Sequence, residues 1–499
     1  MIIFIIITII CAQPLQAQIP DWIILPVDET VLLTNEIKIM QTVKPDIYFA
    51  SQKQKEERAL SYAEILYGTF ENFKANLTIA RESENKGYII SYLREKMESY
   101  NVGNKTIYNS SFGIDSLETG INFSPQENIQ LDLNFIYKYF SKGMASNPVY
   151  DIQNKRQFLI LPEFKYFFSE NSILSASFDY DESNSTIESS TFSYPVKINS
   201  LKSILLYKKV WSEINSLSGQ IIMFQNSVQH SNERRLNNIG IFKLEDKFAF
   251  SRNIVVNLGV ASHINKNYEH VLAPLAQLLF ILRPLHISLE ASKVYDMEYF
   301  QRMIMDHYYV KINQDLDPQV DTSYSLSINL QLIENLYFNI RSSYHDIKNF
   351  PVLYEDTDRL FFIDNVEIES VRLTTSLNFS SRIFSFKILY RYIPSVVSAQ
   401  KTVPYLARNG LESTIGFNIL DLVLNTSLEY SDIRHYLDHT GEKKKLKSYA
   451  ALNFEALYFI TDNLGIKLEG ENILNTHYVE IANYPEPEKI FRTGLYARF

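Results

Sequence analysis

Downstream of about residue 68 the chain alternates apolar and polar positions with a period of two. Ile129, Leu131, Leu133, Phe135, Tyr137 and Tyr139 share one face, and Gln130, Asp132, Asn134 and Lys138 share the other, with Ile136 the one exception. Successive side chains of a strand point to opposite faces, so this segment predicts a strand apolar on one side and wetted on the other. The pattern returns with Ile254, Val256, Leu258 and Val260 opposed by Asn257, and with Leu336, Phe338 and Ile340 opposed by Tyr337, Asn339 and Arg341. It returns again with Leu464, Ile466 and Leu468 opposed by Lys467 and Glu469. Hardly any amphipathic helix interrupts the series.

Many of these runs follow an Asn beside a charged residue: Glu127-Asn128, Glu170-Asn171, Arg252-Asn253, Glu334-Asn335 and Asp462-Asn463. Such pairs favour tight turns. Less regular turns near Asn215, Pro284, Arg382 and Asp421 fill the gaps. The positions recur about every 42 residues, room for two membrane strands of about 9–11 residues, a short turn and a longer loop. Nine turns with flanking strands, the last segment, and three further strands between about Phe70 and Phe112 predict about 22 strands, to within two. The expected fold is all-β: a transmembrane antiparallel up-and-down barrel over 68–499, with short periplasmic turns and longer extracellular loops. The opposed faces are polar in strand after strand, with no second apolar face to fill a core, which argues against a soluble β-sandwich, propeller or β-helix.

Composition narrows the choice. Of 499 residues, 32 are Phe and 33 Tyr against only 15 Gly, which argues against disorder and against glycine-rich phosphate loops. The net charge of −9 leaves no footprint for nucleic acid. Met1 to Ile10 is almost pure Ile and Phe and ends in small residues at Ala17, so residues 1–17 read as a signal peptide. The single cysteine, Cys11, lies inside that segment, so a mature chain carries no disulfide, thiolate metal site or thiol nucleophile. Residues 18–67 read as a short periplasmic segment, with Ser51 capping a short helix over 51–67.

The C-terminal half resembles the barrel of TonB-dependent receptors. Asn313-Gln314-Asp315-Leu316-Asp317-Pro318-Gln319 is similar to that family's Asn-Pro-x-Leu-x-Pro-Glu loop, with Asn313, Leu316 and Pro318 matched and Gln314 and Gln319 substituted. Asp462 to Asn475, with Asn472 and then Tyr478, resembles its penultimate strand. The run from Ala482 to Phe499 resembles its last loop and closing strand, with Glu488-Lys489 where the family has Gly-Arg. The resemblance covers about 270–499 and implies a 22-strand outer-membrane barrel. It also implies a plug domain ahead of the barrel, and residues 18–67 show no full plug pattern. In the last strand Phe491, Leu495 and the terminal Phe499 share a face, as in the signal that the barrel-assembly machinery reads from outer-membrane proteins.

No catalytic motif, cofactor site or metal site is expected. No serine stands in a nucleophile-elbow pattern. His435 and His439 with Asp432 and Asp438 are the only dense group, in a loop rather than on a helix. Lys138, Asp179, Arg341, Lys467 and Glu469 are expected to face the lumen, with mixed sign. The sequence therefore predicts a non-enzymatic transport barrel in the outer membrane of a Gram-negative-type bacterium, passing or helping capture a solute. Its partners are outer-membrane lipid, the assembly machinery and a plug or solute-binding protein in trans. The alternative is a surface scaffold or adhesion barrel with an occluded lumen.

Overall fold

The computed structural model describes residues 61–499 except 83–84, 99–100, 103–104, 107–110, 144–151, 189–192, 213–214, 231–232, 252, 266–269, 283, 297–309, 312–316, 356–360, 399–402 and 483. The signal peptide, most of the 18–67 segment, and Asn313 and Leu316 therefore lie outside the described residues. Twenty-two antiparallel strands form one closed sheet. Each pairs with its neighbour in the chain, and the first strand, Tyr62–Gly68, pairs with the last, Ile490–Arg498. Closure leaves no sheet edge, the condition a strand protein must meet in hydrocarbon.

Residues 62–67, read as the end of a helix, are the first barrel strand, and the barrel begins at 62 rather than 68. Ala63 and Leu66 fit a helical spacing, yet Ile65 and Tyr67 are exposed while Glu64 and Leu66 are buried, the alternation of a strand. Hydrogen-bonding both to Phe73–Glu82 and to the terminal strand satisfies backbone groups that a helix would leave open on two edges.

Tight turns at Glu127–Asn128, Glu170–Asn171, Glu334–Asn335 and Asp462–Asn463 hold one end of the barrel level. The strands differ in length at the other end. Tyr62–Gly68 has 7 residues, Leu464–Glu471 has 8 and Ile490–Arg498 has 9, whereas Ser193–Ser212, Leu336–Glu355 and Phe361–Ser380 each have 20. About 9–11 residues cross a membrane, so the long strands carry the far wall well past the bilayer at the loop end. The seam is the low side of the wall.

The two faces sort as alternation requires. Leu464, Ile466 and Leu468 are 40%, 45% and 41% exposed on the outside, whereas Lys467 and Glu469 between them are 3% and 8% exposed on the inside. Leu131, Leu133, Ile121, Phe123, Leu258 and Leu289 continue the outer apolar belt. An apolar surface of that extent is a lipid-facing wall. Inside, small polar residues such as Ser116, Ser183, Ser288 and Ser327 line much of the wall. Near the loop end the inner wall turns apolar: Ile347, Phe350, Val352, Val366, Ile368 and Ile393 cluster there, and Val403 and Leu406 of a connecting loop pack onto them.

Candidate functional site

The inner wall is the candidate site, and its densest chemistry lies at the seam. Lys467 Nζ sits 2.7 Å from Glu64, 3.0 Å from Glu469 and 3.3 Å from Glu455. Glu469 also takes Lys74 at 3.0 Å and Arg492 at 3.3 Å. Arg492 reaches Glu95 at 2.7 Å, donates from Nε to Asn72 Oδ1 at 2.7 Å, and pairs with Glu471. Strand alternation puts each of these side chains on the inner face, and closure of the ring then brings chain positions some 400 residues apart into contact (|i−j| = 403 for Lys467 and Glu64). The three cations thus tie the first three strands to the last three. Lys467, Glu64 and Arg492 each have side chains only 4% exposed, so the cluster acts as a dry ionic staple rather than as a wetted surface pair.

The other lumen candidates stay apart from this cluster. Lys138 pairs with Glu118 at 3.4 Å, Arg341 approaches Glu290 at 3.7 Å, and Asp179 stands opposite Lys202 in the ladder. Lys165 adds pairs with Asp132 and Glu163 at 3.1 and 3.0 Å, and Arg391 pairs with Glu412. At Lys138, Lys165, Arg341 and Arg391 the charge is matched by a neighbouring carboxylate. Five residues central to the staple (Glu64, Lys74, Glu95, Glu455 and Arg492) were not among the sequence candidates. Arg492 was legible as the polar face of the last strand, but its partners were not.

Phe491, Leu495 and Phe499 lie on the outer face at 37%, 58% and 61% exposure. The Phe499 amide donates to the Ser61 carbonyl at 2.9 Å, so the C-terminus is tied to the start of the first strand. Asn472 and Tyr478 both organise the last loop. Asn472 is buried with φ +48°, donates from Nδ2 to the carbonyls of Thr476 and Pro487, and accepts the Thr476 amide at 3.0 Å. Tyr478 stacks on Tyr449 with ring centroids 4.3 Å apart. Pro318 is buried, and its carbonyl accepts from Asn349, a residue at φ +57° where the ladder of strand Leu336–Glu355 is irregular.

At the loop end, Arg434–Leu437 and Lys443–Leu446 form a hairpin. Arg434 anchors it, 1% exposed, with its guanidinium 5.3 Å over the Tyr449 ring and Nη2 donating to the Val479 carbonyl at 2.8 Å. Asp438 closes the turn, accepting from the Thr440 hydroxyl at 2.6 Å and from the amides of Thr440 and Glu442 at 3.0 and 2.9 Å. The Thr440 hydroxyl is the main cause of an Asp438 carboxyl held down at about 2, below the ordinary 3.8. Burial and the neighbouring Lys443 and Lys445 lower His435. Among the described residues, no group of three or more His, Cys, Asp or Glu is placed to hold a metal ion. Because the folded carboxyl is depressed, its support of the turn is full above about pH 3.8 and is lost as pH falls through about 2. Asp438→Asn is expected to speed trypsin cleavage after Lys443, Lys444 or Lys445 at neutral pH while leaving the barrel's denaturation midpoint in place. Unchanged cleavage would remove the assigned role of that carboxylate.

No protein-family model matches the chain, and no curated protein matches it in sequence. Solved structures do match in shape. The FrpB iron transporter of Neisseria meningitidis (F3-3 variant) superposes with a TM-score of 0.71 at 10% identity, covering 89% of this chain and 82% of that one. The siderophore receptor PirA of Acinetobacter baumannii gives 0.70 at 10% identity, covering 90% and 81%. The copper transporter OprC gives 0.70 at 11% identity over the same shares. At such identities the likeness is one of fold: this chain is similar in architecture to the outer-membrane receptor barrels that its C-terminal motifs resemble.

Proposed function

We propose that the protein is an outer-membrane transport barrel of a Gram-negative-type bacterium, through or with which a solute crosses the membrane. The observation that carries this reading is the closed 22-strand ring with hydrocarbon-facing residues outside and an ion-paired polar wall inside. A solute in such a lumen meets hydrogen-bonding groups along much of its path. The fold likeness to proteins named as iron, siderophore and copper transporters supports transport over a purely adhesive role. Phe491, Leu495 and Phe499 on the outer face of the closing strand are assigned to recognition by the barrel-assembly machinery. A plug or solute-binding protein acting in trans at the lumen is the second partner.

Conductance of the folded protein in planar bilayers tests the reading. The expected result is stable steps with little preference between cation and anion, because the wall charges at Lys138, Lys165, Arg341 and Arg391 are each matched by a carboxylate. Adding the partner should close those steps. Silence from protein whose electrophoretic mobility shifts on boiling, the mark of a folded barrel, would overturn passage through the lumen and favour an occluded surface scaffold.

A further inference from the structure

One stretch of the inner wall brings together a serine, a histidine and an aspartate that the seam staple does not use. Ser343 and His345 stand two residues apart on strand Leu336–Glu355, so their side chains share a face. Asp321 lies on the neighbouring strand Gln319–Ile333, where Ser323 is the ladder partner of His345. His345 Nδ1 is 2.9 Å from one Asp321 carboxylate oxygen and 3.2 Å from the other, and its Nε2 is 2.9 Å from Ser343 Oγ. A carboxylate only accepts, so a neutral ring must carry its proton on Nδ1. That leaves the Nε2 lone pair facing the Ser343 hydroxyl. A carboxylate orients a ring and the ring faces a hydroxyl, which is the arrangement of an activated nucleophile.

Two further features surround it. Arg372 is the ladder partner of Ser343 on the other side, within cross-strand reach of it, and its Nε donates to Ser370 Oγ at 3.3 Å. Towards the loop end, Ile347, Ile368 and Ile393 belong to an apolar cluster on the same wall, with Val403 and Leu406 packed onto it.

We propose that Ser343, His345 and Asp321 form an acyl-transfer site for small esters. Ser343 Oγ bonds to the acyl carbon while its proton passes to His345 Nε2. The bond from that carbon to the leaving alcohol oxygen breaks, and the alcohol takes the proton from His345. Water then attacks the acyl-serine, giving its proton to His345 Nε2, and Ser343 leaves with that proton as the carboxylic acid is released. Asp321 positions the ring and balances its charge, and Arg372 supplies positive charge near the carbonyl oxygen as it becomes negative. Ser343 is 6% exposed, so only a slim acyl group reaches it.

The full-length folded protein, treated in detergent with a small fluorophosphonate and read by peptide mass spectrometry, tests this. The expected result is phosphonylation of Ser343, absent in Ser343→Ala, and slowed about a hundredfold in His345→Asn. Asp321→Asn, close in size, should slow it as well, and the boiling shift identifies samples that fold. Folded wild-type protein with no label on Ser343, or with a labelling rate that His345→Asn leaves unchanged, would overturn the proposal and leave a hydrogen-bonded structural histidine. The readout is covalent, so it is independent of any result on conductance.

Discussion

Replacing Lys467 with methionine is expected to lower the stability of the folded barrel by about 3–5 kcal/mol, the cost of leaving buried charges without their partner. Lys467 is 3% exposed and holds Glu64, Glu455 and Glu469 within 3.3 Å or less. Removing it leaves Glu64 with Lys74 at 3.8 Å, whereas Glu469 keeps Lys74 at 3.0 Å and Arg492 at 3.3 Å. The urea midpoint of the boiling-sensitive form measures the effect. Adding Glu64→Gln to Lys467→Met should restore part of the loss, because the residues are in contact and their effects are coupled. A shift below about 0.5 kcal/mol would place the cluster with solvated surface pairs and contradict the staple.

The second large effect is expected at the backbone of the seam. An added Cβ at Gly494 would fall 1.8 Å from the Ile65 carbonyl oxygen, and one at Gly68 would fall 2.0 Å from that of Phe491. Both obstacles are main chain on the facing strand, which cannot move without parting the first strand from the last. Gly494→Ala should therefore cost more than the roughly 1–3 kcal/mol of ordinary overpacking and sharply reduce the fraction of protein that closes. Gly219 and Gly240 have nothing within 4 Å of the same position. Alanine there should be neutral or stabilise by up to about 1 kcal/mol, since glycine loses more freedom in a strand. Equal behaviour of Gly494→Ala and Gly219→Ala would show that the seam tolerates widening.

Local pattern carried most of the architecture. Leu464, Ile466 and Leu468 declare the outer face because the strand period is two, and Glu127-Asn128 or Asp462-Asn463 mark turns because Asn suits them. The strand at Tyr62–Gly68 was not legible, since Ala63 and Leu66 satisfy both a helical and a strand spacing and closure decides between them. The site divides along the same line. That Lys467 and Glu469 face inward follows from alternation within eight residues. That they meet Glu64 and Lys74 follows only from the ring's first-to-last pairing. Ser343 and His345 are two residues apart, but Asp321 joins them through a ladder register that no spacing rule encodes. Asp438, read in sequence beside two histidines, ties a turn instead of serving them.

The barrel wall alternates between lipid and lumen, and nitroxide scanning in bilayers reads that alternation directly. Single cysteines at 131 to 134, in a background without Cys11, would carry the spin label on a strand with only part-buried ion pairs. Labels at 131 and 133 should collide readily with dissolved oxygen, and labels at 132 and 134 with a water-soluble nickel chelate. The same accessibility at all four positions, or the reverse order, would contradict a membrane-spanning barrel with a polar interior.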